Sequence, residues 1–262
     1  MANTDFDWEL IGQRYPYYGV CTAEPFRHGP EQGFFESGET FIHRLAKKIN
    51  ALYGSFSPRR ALDFGCGVGR LTIPLAKRSQ SIVGADVSIS MLREAENNCQ
   101  RFRVANASFV RCDDSMSLDG EFDFVHSFIV FQHIPTKRGY AIFDRMLGLL
   151  SKGGIGALHF PLKDERPGNV RALSLIPRHT FPFSLVVNFL RGRPLNEPFM
   201  EMNIYNACTL LSILETHNCE EINLEPTNDG GRFGAILLFR KGTHTSGSSG
   251  LARLSMGVLT TH

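Results

Sequence analysis

Apolar and polar positions change rhythm repeatedly along this chain, and the changes predict its elements. Phe41, Leu45, Ile49 and Leu52 recur three or four residues apart, the spacing of one helix face. Ser37 reads as the N-cap of that helix with Thr40 in its first turn, and Gly54 and Pro58 end it. Short apolar runs then alternate with helical patterns. Strands are predicted over residues 61–64, 81–85, 108–111, 122–127 and 155–160, and helices over 71–78, 90–102 and 137–150, the last closed by Ser151-Lys152-Gly153-Gly154. Strands separated by helices predict a parallel, doubly wound α/β sheet. Right-handed crossovers then bring every parallel strand's C-terminal end to one edge, where ligands bind.

The rhythm breaks at 161–206, where Pro161, Pro167, Pro177, Pro182, Pro194 and Pro198 flank an apolar middle over 181–190. Long irregular insertions are uncommon unless functional, so this segment is predicted to be an inserted cap. A helix over 208–216 and strands over 220–224 and 233–239 follow, joined by the turn-rich stretch 226–232, as in an antiparallel hairpin. The expected fold is α/β: a Rossmann-like, mostly parallel seven-stranded sheet closed by a C-terminal hairpin. Its parts are an N-terminal helical arm and helix (1–54), a core (55–160), the cap (161–206), a helix and hairpin completing the core (207–241), and a disordered Ser/Thr/Gly-rich tail (242–262).

Composition narrows the classes. Apolar residues make up 42% and charged residues 21% of the 262 positions, as in ordinary globular proteins. The net charge of +2 exerts no general pull toward nucleic acid or membrane. The first ten residues carry three acids and no apolar run, unlike a signal peptide, and nothing approaches the ~18 apolar residues of a membrane span. The six cysteines are scattered without a C-x-x-C pair, which favours buried thiols in a reducing compartment over disulfides or a metal site. A cytoplasmic protein is expected.

The candidate chemistry centres on Ala61-Leu62-Asp63-Phe64-Gly65-Cys66-Gly67-Val68-Gly69-Arg70. Glycines between a strand and a helix admit φ > 0 and close approach of backbone to a ligand, and the helix that follows points free N–H groups at the turn. The stretch therefore reads as a nucleotide-type cofactor loop. Its G-x-G-x-G spacing, with Asp63 two places ahead, differs from the G-x-G-x-x-G of dinucleotide folds. It resembles motif I of the class I S-adenosylmethionine-dependent methyltransferases. Asp86 after the second strand, Cys112-Asp113-Asp114 after the third, Phe122-Asp123-Phe124-Val125 opening the fourth and Leu150-Ser151-Lys152-Gly153-Gly154 before the fifth follow in that family's order. Val130-Phe131-Gln132-His133-Ile134-Pro135 is also similar to a phrase in a bacterial subgroup of it. The resemblance covers roughly residues 55–160 well and 205–240 in pattern only.

The resemblance implies S-adenosyl-L-methionine as cofactor. Gly65, Cys66, Gly67 and Gly69 would line it, with Cys66 offering only its backbone. Asp63 would orient the loop and the cofactor's amino group, or satisfy loop N–H groups as a strand-end acid. Asp86 stands where a carboxylate can accept both ribose hydroxyls. Asp113 or Asp114 would accept from the adenine amino group. Val87 and Met91 would pack near the ribose and adenine, Met91 alternatively serving helix packing alone. Methyl transfer from a sulfonium mostly needs proximity and alignment, and a base only for a hydroxyl acceptor. His133, on the ligand edge after the fourth strand, is the candidate base; it can instead cap the next helix or hold the cofactor pocket.

The acceptor is expected to be a small molecule or sugar, taken by the cap and arm. Arg178 and Arg193 stand with Arg166, Arg171 and Arg191 among Phe181, Phe183 and Phe189, where they can grip a carboxylate or phosphate or form a solvated face. Tyr17, in the aromatic run Tyr15-Pro16-Tyr17-Tyr18-Gly19, is the arm's candidate contact; such rings pack either on the domain or on a substrate. The run 181–190 also suits contact with a second copy of the chain, as in a homodimer, or a membrane surface. A nucleic-acid acceptor is not expected: no basic stripe lies outside the cap and no Asn-Pro-Pro-Tyr-type tetrapeptide follows the fourth strand. The competing readings are a non-catalytic cofactor-binding subunit and a nicotinamide-dependent oxidoreductase.

Overall fold

The computed structural model describes residues 3–21, 26, 29, 33–113, 116–166, 202–229 and 231–243. Two short helices open the chain, α1 (Asn3–Arg14) and α2 (Pro16–Val20), followed by the long α3 (Phe34–Tyr53). The alternating core runs β1 (Arg60–Phe64), α4 (Thr72–Ala76), β2 (Ser81–Asp86), α5 (Ile89–Arg101), β3 (Ala107–Arg111), β4 (Phe122–Ser127), α6 (Thr136–Leu149) and β5 (Leu150–Asp164). It closes with α7 (Ala207–Thr216), β6 (Cys219–Asp229) and β7 (Arg232–Lys241).

The strands form one seven-stranded sheet in the order β3-β2-β1-β4-β5-β7-β6. Strands β1 to β5 pair in parallel, and β7 runs antiparallel to both β5 and β6. The order reverses beside β1, so the carboxyl ends of β1, β2 and β4 frame the crevice in which such sheets bind ligands.

Consecutive strand residues feed opposite layers because side chains alternate across the pleat. Ala61, Phe124, Ala157 and Ile236 pack under Ile42, Leu45 and Ile49 of α3 and Leu75 of α4. Their neighbours Leu62, Val125, Leu158 and Leu237 pack with Phe143, Met146 and Leu147 of α6 and Leu210 and Leu214 of α7. Burial on both faces explains why these strands read as apolar runs rather than alternating ones. The arm adds a smaller cluster in which Ile11 and Tyr17 meet Phe34, Val68 and Met91.

Several predicted boundaries move. Strand β5 starts at Leu150 rather than 155 and runs to Asp164, so Ser151-Lys152-Gly153-Gly154 is strand rather than the close of the preceding helix, and the first residues assigned to the cap continue β5. The first long helix begins at Phe34, not at Ser37: Gly33, at φ 98°, is its N-cap, and Ser37 Oγ instead donates to Phe34 O at 2.6 Å within the helix. The helix predicted over 71–78 shrinks to Thr72–Ala76. The stretch expected as a long hairpin link is mostly strand, because pairing continues through Pro226↔Ala235 to Asp229↔Arg232. The tail from residue 244 and the cap from 167 to 201 lie outside the described residues, and with them Arg178 and Arg193.

Candidate active site

The glycine loop leaves β1 with Gly65, Gly67 and Gly69 at φ 72°, 52° and 82°, a backbone region that disfavours any side chain. Space forbids one as well. A Cβ on Gly65 would lie 2.3 Å from Val130 Cγ2, and one on Gly67 would lie 2.6 Å from Val20 Cγ2. The loop is thus closed upon by the turn after β4 on one side and by the arm on the other.

Asp86 ends β2, and both of its oxygens are anchored by the backbone. Gly67 N donates to Oδ2 and Ser88 N to Oδ1, each at 2.9 Å. Burial pushes its carboxyl up to about 6, against the downward pull of the N–H groups of Ser88, Gly67 and Val87. Each oxygen keeps a further lone pair for a hydroxyl donor.

Asp63 is buried, and its oxygens are engaged within the protein. Oδ2 accepts from Thr72 Oγ1 at 2.6 Å, and Oδ1 lies 2.8 Å from His126 Nδ1. The register of β1 on β4 sets Asp63 opposite His126, so the pair ties two central strands to the start of α4. Neither partner is one of the loop N–H groups that the strand-end reading of Asp63 called for.

The other sequence candidates fall in distinct places. Cys66 is buried, and burial together with the Asp86 and Asp63 carboxylates holds its thiol well above the usual range, so it stays protonated. Val87 offers its carbonyl to Arg111 Nε at 3.3 Å. Met91 is buried beneath the arm, where Cβ atoms on Gly12 and Gly19 would lie 3.1 Å and 3.0 Å from its side chain. Asp113 is exposed after β3, its carbonyl accepting from Met116 N at 3.2 Å, and Asp114 lies outside the described residues. Tyr17 is buried, its hydroxyl bonded to Glu94 and 3.1 Å from Asn98 Oδ1, with burial raising its pKa to about 12. Asn98 Nδ2 donates to Val68 O at 3.0 Å, so Tyr17 braces the arm against α5 and the glycine loop.

His133 sits in a single 3-10 turn, Phe131–His133, on the ligand edge beyond β4. The Gln132 amide donates to its Nε2 at 3.0 Å, and the Trp8 ring meets the imidazole edge-on at 4.9 Å. The approach to this turn is strained: Ile129, a β-branched residue, has φ 60°. Tyr205 holds the turn from below, its hydroxyl 3.0 Å from Phe131 O and 2.8 Å from Ile134 O. The phenol fits because residue 139 is glycine; a Cβ there would lie 1.9 Å from the Tyr205 oxygen.

Sequence reasoning missed Glu9. Its carboxylate accepts from Ser88 Oγ at 2.8 Å, Ser90 Oγ at 2.6 Å and Ser90 N at 3.3 Å, at the N-terminus of α5. Burial alone would raise its pKa, but the bonds from Ser90, Ser88 and Gln13 outweigh it and hold the group below its ordinary value. Asp5 pairs with Arg138 of α6 at 2.6 Å. The arm therefore bridges the Asp86 side of the crevice and the His133 side. Asp5, Asp7 and Glu9 recur at alternate positions near the start, but nothing in that spacing names their partners.

These residues suit a nucleoside cofactor: an anchored carboxylate ending β2 with lone pairs to spare, a left-handed glycine turn, and a buried Ser127 hydroxyl at the end of β4 without a hydrogen-bond partner among the described residues. Comparison with known proteins agrees. A family model described as a methyltransferase domain matches residues 61–154. The ubiquinone biosynthesis O-methyltransferase of Methylococcus capsulatus is 35% identical over 163 residues, spanning 59% of this chain and 67% of that protein. The magnesium-protoporphyrin O-methyltransferase of Synechocystis is 33% identical over 91 residues, spanning 34% of this chain and 40% of that protein. The 23S rRNA (uracil-C5)-methyltransferase RlmD of Vibrio parahaemolyticus is 34% identical over 122 residues, spanning 46% of this chain and 27% of that protein. The chain thus spans well under half the length of these last two relatives. Among solved structures, the Synechocystis magnesium protoporphyrin IX methyltransferase with bound S-adenosylhomocysteine superposes with TM-score 0.60 at 19% identity, covering 89% of this chain and 99% of that one. The N-methyltransferase NodS of Bradyrhizobium japonicum gives TM-score 0.53 at 16% identity, covering 90% and 98%. The sheet order and its antiparallel C-terminal strands are those of the methyltransferase fold. The chain belongs to the class I S-adenosylmethionine-dependent methyltransferase family.

Proposed function

We propose that this chain transfers the methyl group of S-adenosylmethionine to a hydroxyl, or an amine, of a small molecule or sugar. The observation that carries the cofactor half is Asp86, fixed between Gly67 N–H and Ser88 N–H so that its remaining lone pairs can accept the ribose hydroxyls. Gly65, Gly67 and Gly69 let the backbone approach the ligand, Asp113 or Asp114, beyond the end of β3, accepts from the adenine amino group, and Asp63 ties β1 to β4 beneath the loop. The bound cofactor supplies a methyl group on a sulfonium whose leaving group is a neutral thioether. The protein's task is then alignment, exclusion of water by the arm, and removal of a proton where the acceptor is a hydroxyl.

His133 is the group proposed for that proton. In the present arrangement its Nε2 lone pair accepts from the Gln132 amide. Taking a proton there requires that amide to turn aside, and Trp8 and the Tyr205-braced turn keep the ring in place meanwhile. A small-molecule acceptor is supported by two relatives named as O-methyltransferases of ubiquinone biosynthesis and of magnesium-protoporphyrin. The rRNA-modifying relative shares a smaller part of its own length, and this chain's near-neutral charge offers no general attraction for RNA.

The test is label transfer from methyl-labelled S-adenosylmethionine to a panel of hydroxylated metabolites, amines, sugars and one structured RNA. Label on a small molecule is expected; label on the RNA alone overturns the reading. With an oxygen acceptor found, His133→Ala should lower turnover by ~10²-fold or more with cofactor affinity unchanged. Unchanged turnover removes His133 from the chemistry.

A further inference from the structure

Arg70 follows the last glycine of the loop, and its surroundings are unusual for a cation. Its side chain is half-buried, yet among the described residues it forms no ion pair. Among the described residues the guanidinium makes one hydrogen bond, from Nη1 to Ser37 Oγ at 3.2 Å, and its buried Nε has no partner. The nearby Asp63 does not neutralise it at contact distance, since both of that carboxylate's oxygens are committed to Thr72 and His126. Burial of part of the side chain lowers the Arg70 pKa, with Cys21 and then Asp63 exerting only the weaker opposing pull.

The position is built rather than incidental. Residue 38 of α3 is glycine, and a Cβ there would lie 2.4 Å from Arg70 O and 3.1 Å from Arg70 Cγ, so α3 presses directly on this side chain. A cation drawn partly out of water without a counter-charge carries a cost, and a guanidinium with free N–H groups offers the fork that a carboxylate matches. Arginine is too strongly basic to escape by losing its proton.

We propose that Arg70 receives the carboxylate at the amino-acid end of S-adenosylmethionine, and is the residue by which this chain distinguishes the whole cofactor from nucleosides lacking that group. Asp86 then fixes the ribose after β2 and Arg70 the opposite end beside α3, with the glycine loop between them. The assignment rests on the cofactor reading given above.

It is tested by calorimetry on the full chain with two ligands, S-adenosylhomocysteine and its decarboxylated analogue, 5′-deoxy-5′-(3-aminopropylthio)adenosine. The wild type should bind S-adenosylhomocysteine about 10- to 100-fold more tightly, the span of a hydrogen-bonded charge pair. In Arg70→Met the two should bind alike, with S-adenosylhomocysteine weakened to the analogue's level and the analogue unmoved. Arg70→Lys, which keeps the charge but loses the fork, should restore part of the preference. Equal weakening of both ligands in Arg70→Met, or equal affinity of both in the wild type, overturns the assignment; the second comparison holds even where the variant does not fold. Failure of the wild type to bind either nucleoside instead overturns the cofactor reading beneath it.

Discussion

Asp86 links the chemistry to pH. Its carboxyl is pushed up to about 6 by burial, so between pH ~4 and 6 the folded chain binds protons that the unfolded chain has released. Asp86 thus favours the folded state most below that window and less as pH rises through it. Ligand binding moves the other way, because ribose hydroxyls donate to the ionised form. S-adenosylhomocysteine affinity should therefore rise about 10-fold from pH 5 to 7.5, and Asp86→Asn should bind weakly with a flat profile. A flat wild-type profile would show that Asp86 does not hold the ribose. The acids at strand ends were legible because distance from a glycine loop along the chain translates into place on the ligand edge. Their partners were not. Asp63 meets His126 only through the register of two strands far apart in sequence, and Arg70 is marked only by what fails to surround it.

Among the elements, the arm is the one whose weight the sequence understates. Its aromatics suggested packing, but the contacts that place it are polar: Glu9 on the N-terminus of α5 and Asp5 on Arg138. An acid at a helix N-terminus meets both the free N–H groups and the helix dipole. Glu9→Ala should weaken docking of the arm by about 1–3 kcal/mol. Trp8, the one tryptophan in the chain, packs on His133 and reports this directly: its emission should shift to the red, and cleavage at Arg14 by trypsin should accelerate. Unchanged emission and cleavage would mean that the apolar contacts of Ile11 and Tyr17 suffice. Other elements were misread for physical reasons. Ser37 looked like a cap because cap residues and residues that bond back to a helix carbonyl are the same types. Pro226 looked like a turn because proline breaks inner strands, but β6 is the edge of the sheet, where a missing N–H leaves no neighbour unpaired.

At the scale of the whole molecule, alternation of apolar runs and helices was enough to read a parallel sheet with one ligand edge, and the hairpin supplied the last two strands. Which residues face which layer follows from the pleat, as Ala61 against α3 and Leu62 against α6 show. The bridging of the crevice by the arm does not follow from any local pattern, since it joins the first turns of the chain to α5 and α6. The central claim is that this framework holds S-adenosylmethionine through the glycine loop and Asp86. Calorimetric titration of the full chain with S-adenosylhomocysteine, beside NADH and the Asp86→Ala variant, tests it most directly. One equivalent of S-adenosylhomocysteine should bind to the wild type, Asp86→Ala should bind it far more weakly, and NADH should give no heat. Silence with S-adenosylhomocysteine, or saturable binding of NADH at the same site, would contradict the account.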